Sequence, residues 1–227
     1  MQIILYISFF LLTFAQNFAH MKVLLVNASP RKQGNTFNSL SEIANQLEKY
    51  VIESEIVQLG TKPVRSCIAC SQCRTKDLGH CVFDDDLCNR ISERMLSSDA
   101  FIIGSPVYYG QPNGAAMSLV QRLMYSAGHL FRNKPAAAVA VCRRGGATAA
   151  LQTMTMPFQI MNMPIVTSQY WNIVYGRAEG EAALDTEGMQ AMRTLADNLA
   201  FLLKHIHASG TPSYPPRESP QPLPFIR

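Results

Sequence analysis

The sequence predicts one α/β domain: a five-stranded, mainly parallel sheet with helices on both faces. Three observations carry this expectation. Short apolar runs read as strands, segments of helical period alternate with them, and three small-residue turns fall at the carboxyl ends of the strands. With 227 residues, 48% of them hydrophobic and 16% charged, the chain has material for one sizeable core. The net charge of +4 is mild, and Arg31, Lys32, Arg143 and Arg144 sit in candidate ligand loops rather than in a long basic run. A nucleic-acid partner is therefore not expected.

Residues 1–20 stand apart. Residues 3–15 form an apolar run with the length of a signal-peptide core, and Thr13-Phe14-Ala15 has the small residues of a cleavage site. No Lys or Arg precedes the run, however, and it is short for a membrane span. Met21-Lys22-Val23-Leu24-Leu25-Val26 already begins like a complete domain, so residues 1–20 are expected to be an upstream extension rather than a working signal peptide. The cytoplasm is the expected location; the apolar segment leaves secretion or membrane association open. The domain itself is expected over residues 21–207.

The first strand, residues 22–26, runs into Asn27-Ala28-Ser29-Pro30-Arg31-Lys32-Gln33-Gly34-Asn35-Thr36. A helix follows from near Asn35, with Leu40, Ile43, Ala44 and Leu47 on one face. Such a strand-to-helix turn suits an anion. Ser29, Asn35 and Thr36 offer side-chain donors, Gly34 permits close backbone approach, and the free N–H groups of the first helical turn point outward with the positive end of the dipole. A phosphate monoester fits that set. The dinucleotide fingerprint G-x-G-x-x-G and the P-loop pattern are both missing, which disfavours a pyrophosphate or nucleoside triphosphate.

A second strand is expected over residues 51–59, and Asp84, Asp85 and Asp86 precede a short helix ending near Ser97, where acids suit the first turn. Residues 100–104 form a third strand that enters Ser105-Pro106-Val107-Tyr108-Tyr109-Gly110-Gln111-Pro112-Asn113-Gly114, a loop of aromatic and turn residues. Ala116, Leu119, Val120, Leu123 and Met124 then mark a helix. Residues 135–141 form a fourth strand, followed by Cys142-Arg143-Arg144-Gly145-Gly146-Ala147-Thr148 and a Met-rich segment, residues 151–163, whose methionines read as core packing. A fifth strand is expected over residues 165–175, and Met192, Leu195, Ala196, Leu199, Leu203 and Ile206 mark the last helix. Residues 208–227 carry six of the thirteen prolines and no periodic apolar face, so a disordered tail is expected there.

Cys67, Cys70, Cys73 and Cys81 have the spacing C-x2-C-x2-C-x7-C. Three thiolates two residues apart can converge on one cubane, and a fourth from a short loop completes the ligation of a [4Fe-4S] cluster. Structural zinc more often uses two separated knuckles, a disulfide needs an oxidising compartment, and a loop of free thiols has the same sequence. Cys88 and Cys142 read as buried small hydrophobes. His80 and His129 read as solvated or core histidines, since nothing near them in sequence pairs with either.

The three turns and the cysteine block together resemble NAD(P)H-dependent FMN reductases of the flavodoxin-like fold, in particular the branch of iron-sulfur flavoproteins. The resemblance implies that Ser29, Arg31, Gly34, Asn35 and Thr36 hold the FMN phosphate. It implies also that Pro106, Val107, Tyr108, Tyr109 and Gly110 line the isoalloxazine ring, with Arg143, Gly145 and Gly146 covering its other edge. The iron-sulfur members use a similar compact cysteine run. One departure stands out: where relatives carry Met-Lys and Asp-Arg along the helix after the aromatic loop, this chain has Met117-Ser118 and Gln121-Arg122, which puts in doubt any subunit contact or surface charge those side chains carry.

The function expected on this reading is transfer of electrons from a nicotinamide cofactor, NADH or NADPH, through FMN to a quinone, a flavin or an iron-sulfur acceptor. The alternative is an iron-sulfur flavoprotein electron carrier reduced by a ferredoxin; a third, of a different class, is a scaffold that keeps the fold without flavin. A homo-oligomer is expected from the resemblance.

Overall fold

The computed structural model describes residues 21–208 together with residues 214, 216, 218 and 221. The expectations for residues 1–20 and for most of the Pro-rich tail lie outside these described residues. Strands β1 (Lys22–Asn27), β2 (Glu53–Gln58), β3 (Ala100–Tyr108), β5 (Ala136–Cys142) and β6 (Ile173–Tyr175) form one parallel sheet in the order β2-β1-β3-β5-β6. The helices are α1 (Asn35–Glu48), α2 (Gln72–Thr75), α3 (Cys88–Leu96), α4 (Gly114–Ala127), α5 (Ala147–Ile160) and α6 (Thr186–His207). The strand order reverses at β1 and β3, so the crevice for a ligand opens above their carboxyl ends.

Both faces of the sheet are covered, which is why its strands are continuous apolar runs. On β1 and β3, Leu24, Val26, Phe101 and Ile103 face the α3–α4–α5 side, while Val23, Leu25, Ala100 and Ile102 face α1 and α6. This is the two-residue period of a strand with a hydrophobic layer on each side. Helix α6 answers with Met192, Leu195, Ala196, Leu199 and Leu203, all buried; each of its larger apolar side chains contributes about 1.5–3 kcal/mol relative to exposure.

The structure differs from the sequence expectation in the sheet's two weakest parts. A two-residue strand β4 (Gln111–Pro112) pairs antiparallel with the end of β3, giving six strands where five were expected. Its turn, Tyr109-Gly110, has φ of 50° and 78°, the left-handed pair that a tight hairpin needs. The last strand is only Ile173–Tyr175; Ile165 makes an isolated bridge to Ala136, and the chain between them is irregular. In the Met-rich segment Met154 and Met163 are in the core, whereas Met156 is exposed.

Candidate functional site

The turn after β1 is held by its own polar side chains. Asn27 Oδ1 accepts from Ser29 N at 3.1 Å, Ser29 Oγ accepts from Arg31 N at 3.1 Å, and Gln58 Nε2 donates to Ser29 O at 2.6 Å. This leads the chain into α1, whose N-cap is Gly34, so no side chain satisfies the first turn. Those N–H groups are orphan donors at the positive end of a helix dipole, the donor chemistry that fits a phosphate. Ser29, Gly34 and Thr36 are buried around them, and Arg31 is exposed at the rim.

Asn35 has a different task from the one expected of its side chain. Its Nδ2 donates to Ala178 O at 2.8 Å, and its Oδ1 accepts from Ala182 N at 3.1 Å. The carboxamide thus ties α1 to the loop after β6, and what Asn35 presents at the helix start is its backbone N–H.

The aromatic loop after β3 is fastened to the first turn by a residue that sequence reasoning passed over. Asn113 Nδ2 donates to Ala28 O at 2.9 Å, and its Oδ1 accepts from Ala115 N at 2.9 Å, capping α4. An Asn immediately before a Gly-Ala-Ala helix start was the available signal. Within the loop Tyr108 is half exposed, and Tyr109 is fully exposed with a left-handed backbone. A tyrosine held there costs free energy, and such strain concentrates at binding sites.

The third turn closes against the second. A Cβ on Gly146 would lie 2.6 Å from Gly110 Cα, and Gly146 has φ of 86°. The two loops therefore meet backbone to backbone at Gly110 and Gly146, and Arg143, Arg144 and Gly145 beside that contact are exposed. Gly146→Ala is expected to cost on the order of 1–3 kcal/mol, lowering the melting temperature by several degrees. A Cβ on Gly145 meets open space, so Gly145→Ala should leave the melting temperature in place. Thermal melts of the two variants check this, and equal losses would remove the Gly110 contact as the cause.

The cysteine segment leaves β2 and folds over α4. Cys67, Cys70, Cys73 and Cys81 line one cavity, with Arg122 and Tyr125 among the residues closing it. Ala69 N donates to Cys67 Sγ at 3.4 Å, and Ala69 and Ser71 have left-handed backbones, φ 53° and 58°. The Cys67 sulfur thus accepts a backbone N–H, the kind of hydrogen bond to sulfur that tunes iron-sulfur sites. All six cysteines are free thiols in the structure. Among the described residues no three His, Cys, Asp or Glu side chains are grouped so as to hold a metal ion; what the four cysteines share is the lining of one cavity. Burial pushes the Cys73 thiol up, and drives Cys88 up to about 12, so Cys88 behaves as core. Cys142 is likewise buried.

The three aspartates are structural. Asp84 meets Asn89, Asp85 pairs with Arg65, and Asp86 accepts from Cys88 N at 3.0 Å and pairs with Arg122. The Arg65 guanidinium holds the Asp85 carboxyl below the usual range. Arg122, whose surface charge the departure along α4 had put in doubt, is buried beneath the cysteine segment. His80 and His129 are exposed.

Residues 21–178 match the family described as NADPH-dependent FMN reductase. An iron-sulfur flavoprotein of Methanocaldococcus jannaschii is 34% identical over 194 residues, covering 82% of this chain and 99% of the relative. One from Archaeoglobus fulgidus is 31% identical over 162 residues, covering 66% and 78%. Among solved structures, RosB with a bound formylated riboflavin phosphate intermediate superposes with a TM-score of 0.66 at 15% identity, covering 91% of this chain and 94% of RosB. An archaeal flavodoxin does so with a TM-score of 0.55 at 16% identity, covering 82% and 100%; at such identities the likeness shows the flavodoxin-like fold.

Proposed function

The chain belongs to the NADPH-dependent FMN reductase family and is a flavin-dependent oxidoreductase, and from that premise we propose that it moves electrons between FMN and a [4Fe-4S] cluster held by Cys67, Cys70, Cys73 and Cys81. The observation that carries the proposal is the convergence of all four cysteines on one cavity beside α4, the helix that starts at the aromatic loop. From Gly114 to Arg122 is about 12 Å along the helix axis, so one rigid element spaces the two centres.

Ser29, Gly34, Thr36 and the backbone at Asn35 would hold the FMN phosphate, with Arg31 supplying charge at the rim. Pro106 to Gly110 would line the ring, and Arg143, Gly145 and Gly146 would cover its other edge. When bound, FMN supplies the ability to exchange electrons singly or as a hydride. The chain's part is to fix the ring between two loops, favour its anionic reduced form with Arg143 and Arg144, and leave one face open.

A ferredoxin-type carrier is the proposed one-electron partner on the cysteine side, where Cys70 reaches the surface. The second reading, NADH or NADPH as donor with a quinone or flavin acceptor, is favoured by the open loop edge at Tyr109. A second copy of the chain belongs to the same proposal, since the exposed Tyr170, Trp171 and Tyr175 offer an apolar rim for one.

Anaerobically purified protein should contain FMN with about four irons and four sulfides per chain. In stopped flow, reduced ferredoxin should bleach both chromophores faster than NADH or NADPH does. Rapid bleaching by a nicotinamide, with iron missing, would leave a simple flavin reductase; colourless protein that takes up no FMN would leave a scaffold.

A further inference from the structure

Arg122 is 1% exposed on its side chain, and burying a charge is costly unless its groups are paired. Its Nη1 pairs with the buried Asp86 carboxylate and donates to Arg65 O at 3.3 Å, while Nη2 donates to Phe83 O at 2.8 Å. All four cysteines lie between Arg65 and Phe83 in the chain. One planar guanidinium therefore fixes both ends of the segment that carries them.

Two observations go beyond a clamp. Arg122 lines the same cavity as Cys67, Cys70, Cys73 and Cys81. In addition, its Nε is buried with no hydrogen-bond partner among the described residues, and an unsatisfied buried donor in a native fold asks for an acceptor. A guanidinium keeps its charge even when buried, and the Asp86 carboxylate pairs with it.

Resting on the cluster reading above, we propose that Arg122 is a positioning and tuning residue of the iron-sulfur site. Its Nε–H would donate to a sulfur of the ligand shell, and its charge would favour the more negative, reduced state of a cluster held there. Hydrogen bonds to the sulfurs and net charge are the levers that set such potentials.

The test compares the wild-type protein with Arg122→Gln and Arg122→Lys, all purified anaerobically, by iron and sulfide content, by the spectrum of the reduced state and by redox titration. Arg122→Gln should keep its cluster but show at least a tenfold lower ratio of reduced to oxidised cluster at a fixed potential, about 59 mV for a one-electron couple. Arg122→Lys, which keeps the charge without the fork, should recover most of that loss. An unchanged potential in Arg122→Gln overturns the assignment and leaves the cluster standing. Loss of the cluster from Arg122→Gln, whatever lysine does, reduces Arg122 to a structural clamp and overturns it too. A wild-type chain that takes up no iron removes the cluster reading itself, and the inference with it.

Discussion

Replacing Cys73 with serine is expected to strip the iron from anaerobically purified protein while leaving its FMN content at the wild-type level. Cys73 is the buried member of the four, sitting in the short helix α2 at the floor of their shared cavity. Iron-sulfur ligation depends on a soft thiolate, and a hard hydroxyl in the same place does not replace it. The loops proposed to hold the flavin lie at the other end of α4 and are not among the residues lining the cysteine cavity, so FMN should stay. Cys88→Ser provides the contrast. Cys88 is on α3 in the hydrophobic core, with its thiol proton held by burial; serine there leaves a hydroxyl to be buried, costing on the order of 1–3 kcal/mol of stability, without touching the iron. Iron, sulfide and flavin determinations on the two variants decide the matter. Full iron in Cys73→Ser, or none in a folded Cys88→Ser, would show that the ligand set is wrongly drawn.

What the sequence made legible was whatever depends on neighbours along the chain. Gly34 before a run at helical spacing predicts the start of α1, and the apolar runs at β1, β3 and β5 predict a sheet covered on both faces, because both are local patterns. The task of the Asn35 side chain and the partners of Arg122 were illegible for one shared reason: those partners are remote. Ala178 and Ala182, which take the Asn35 carboxamide, follow it by more than 140 residues. Arg122 stands three residues from the buried Leu119, on the flank of the apolar face of α4. Only the arrival of the segment from Arg65 to Phe83 decides whether that flank is solvent or interior. The hairpin at Tyr109-Gly110 was illegible for another reason, since a Tyr in the left-handed region is disfavoured by propensity and is held there by the loop's contacts at Asn113 and Gly146. The illegible features therefore cluster where the folded chain supports a locally unfavourable choice, which is also where the candidate site lies.

Thr36→Val is expected to weaken FMN binding by roughly ten- to a hundredfold and to leave riboflavin binding unchanged. Valine has the shape of threonine, so the methyl that packs beneath Gly104, 2.9 Å from where a Cβ on that glycine would be, keeps its place. Only the hydroxyl is lost. A hydrogen bond from a neutral donor to a charged acceptor contributes about 1.5–3 kcal/mol, and each 1.4 kcal/mol is tenfold in affinity, which sets the expected range. Thr36→Glu should go further by placing a carboxylate where the helix dipole and the orphan N–H groups now await an anion, turning attraction into repulsion. Riboflavin separates the phosphate assignment from general damage, because it carries the same ring and ribityl chain without the phosphate. A folded Thr36→Val that loses FMN and riboflavin equally has lost the ring slot instead. One that binds FMN as tightly as the wild type would move the phosphate away from α1, and with it the physical reason for a buried Gly34 and an uncapped first turn above the carboxyl end of β1.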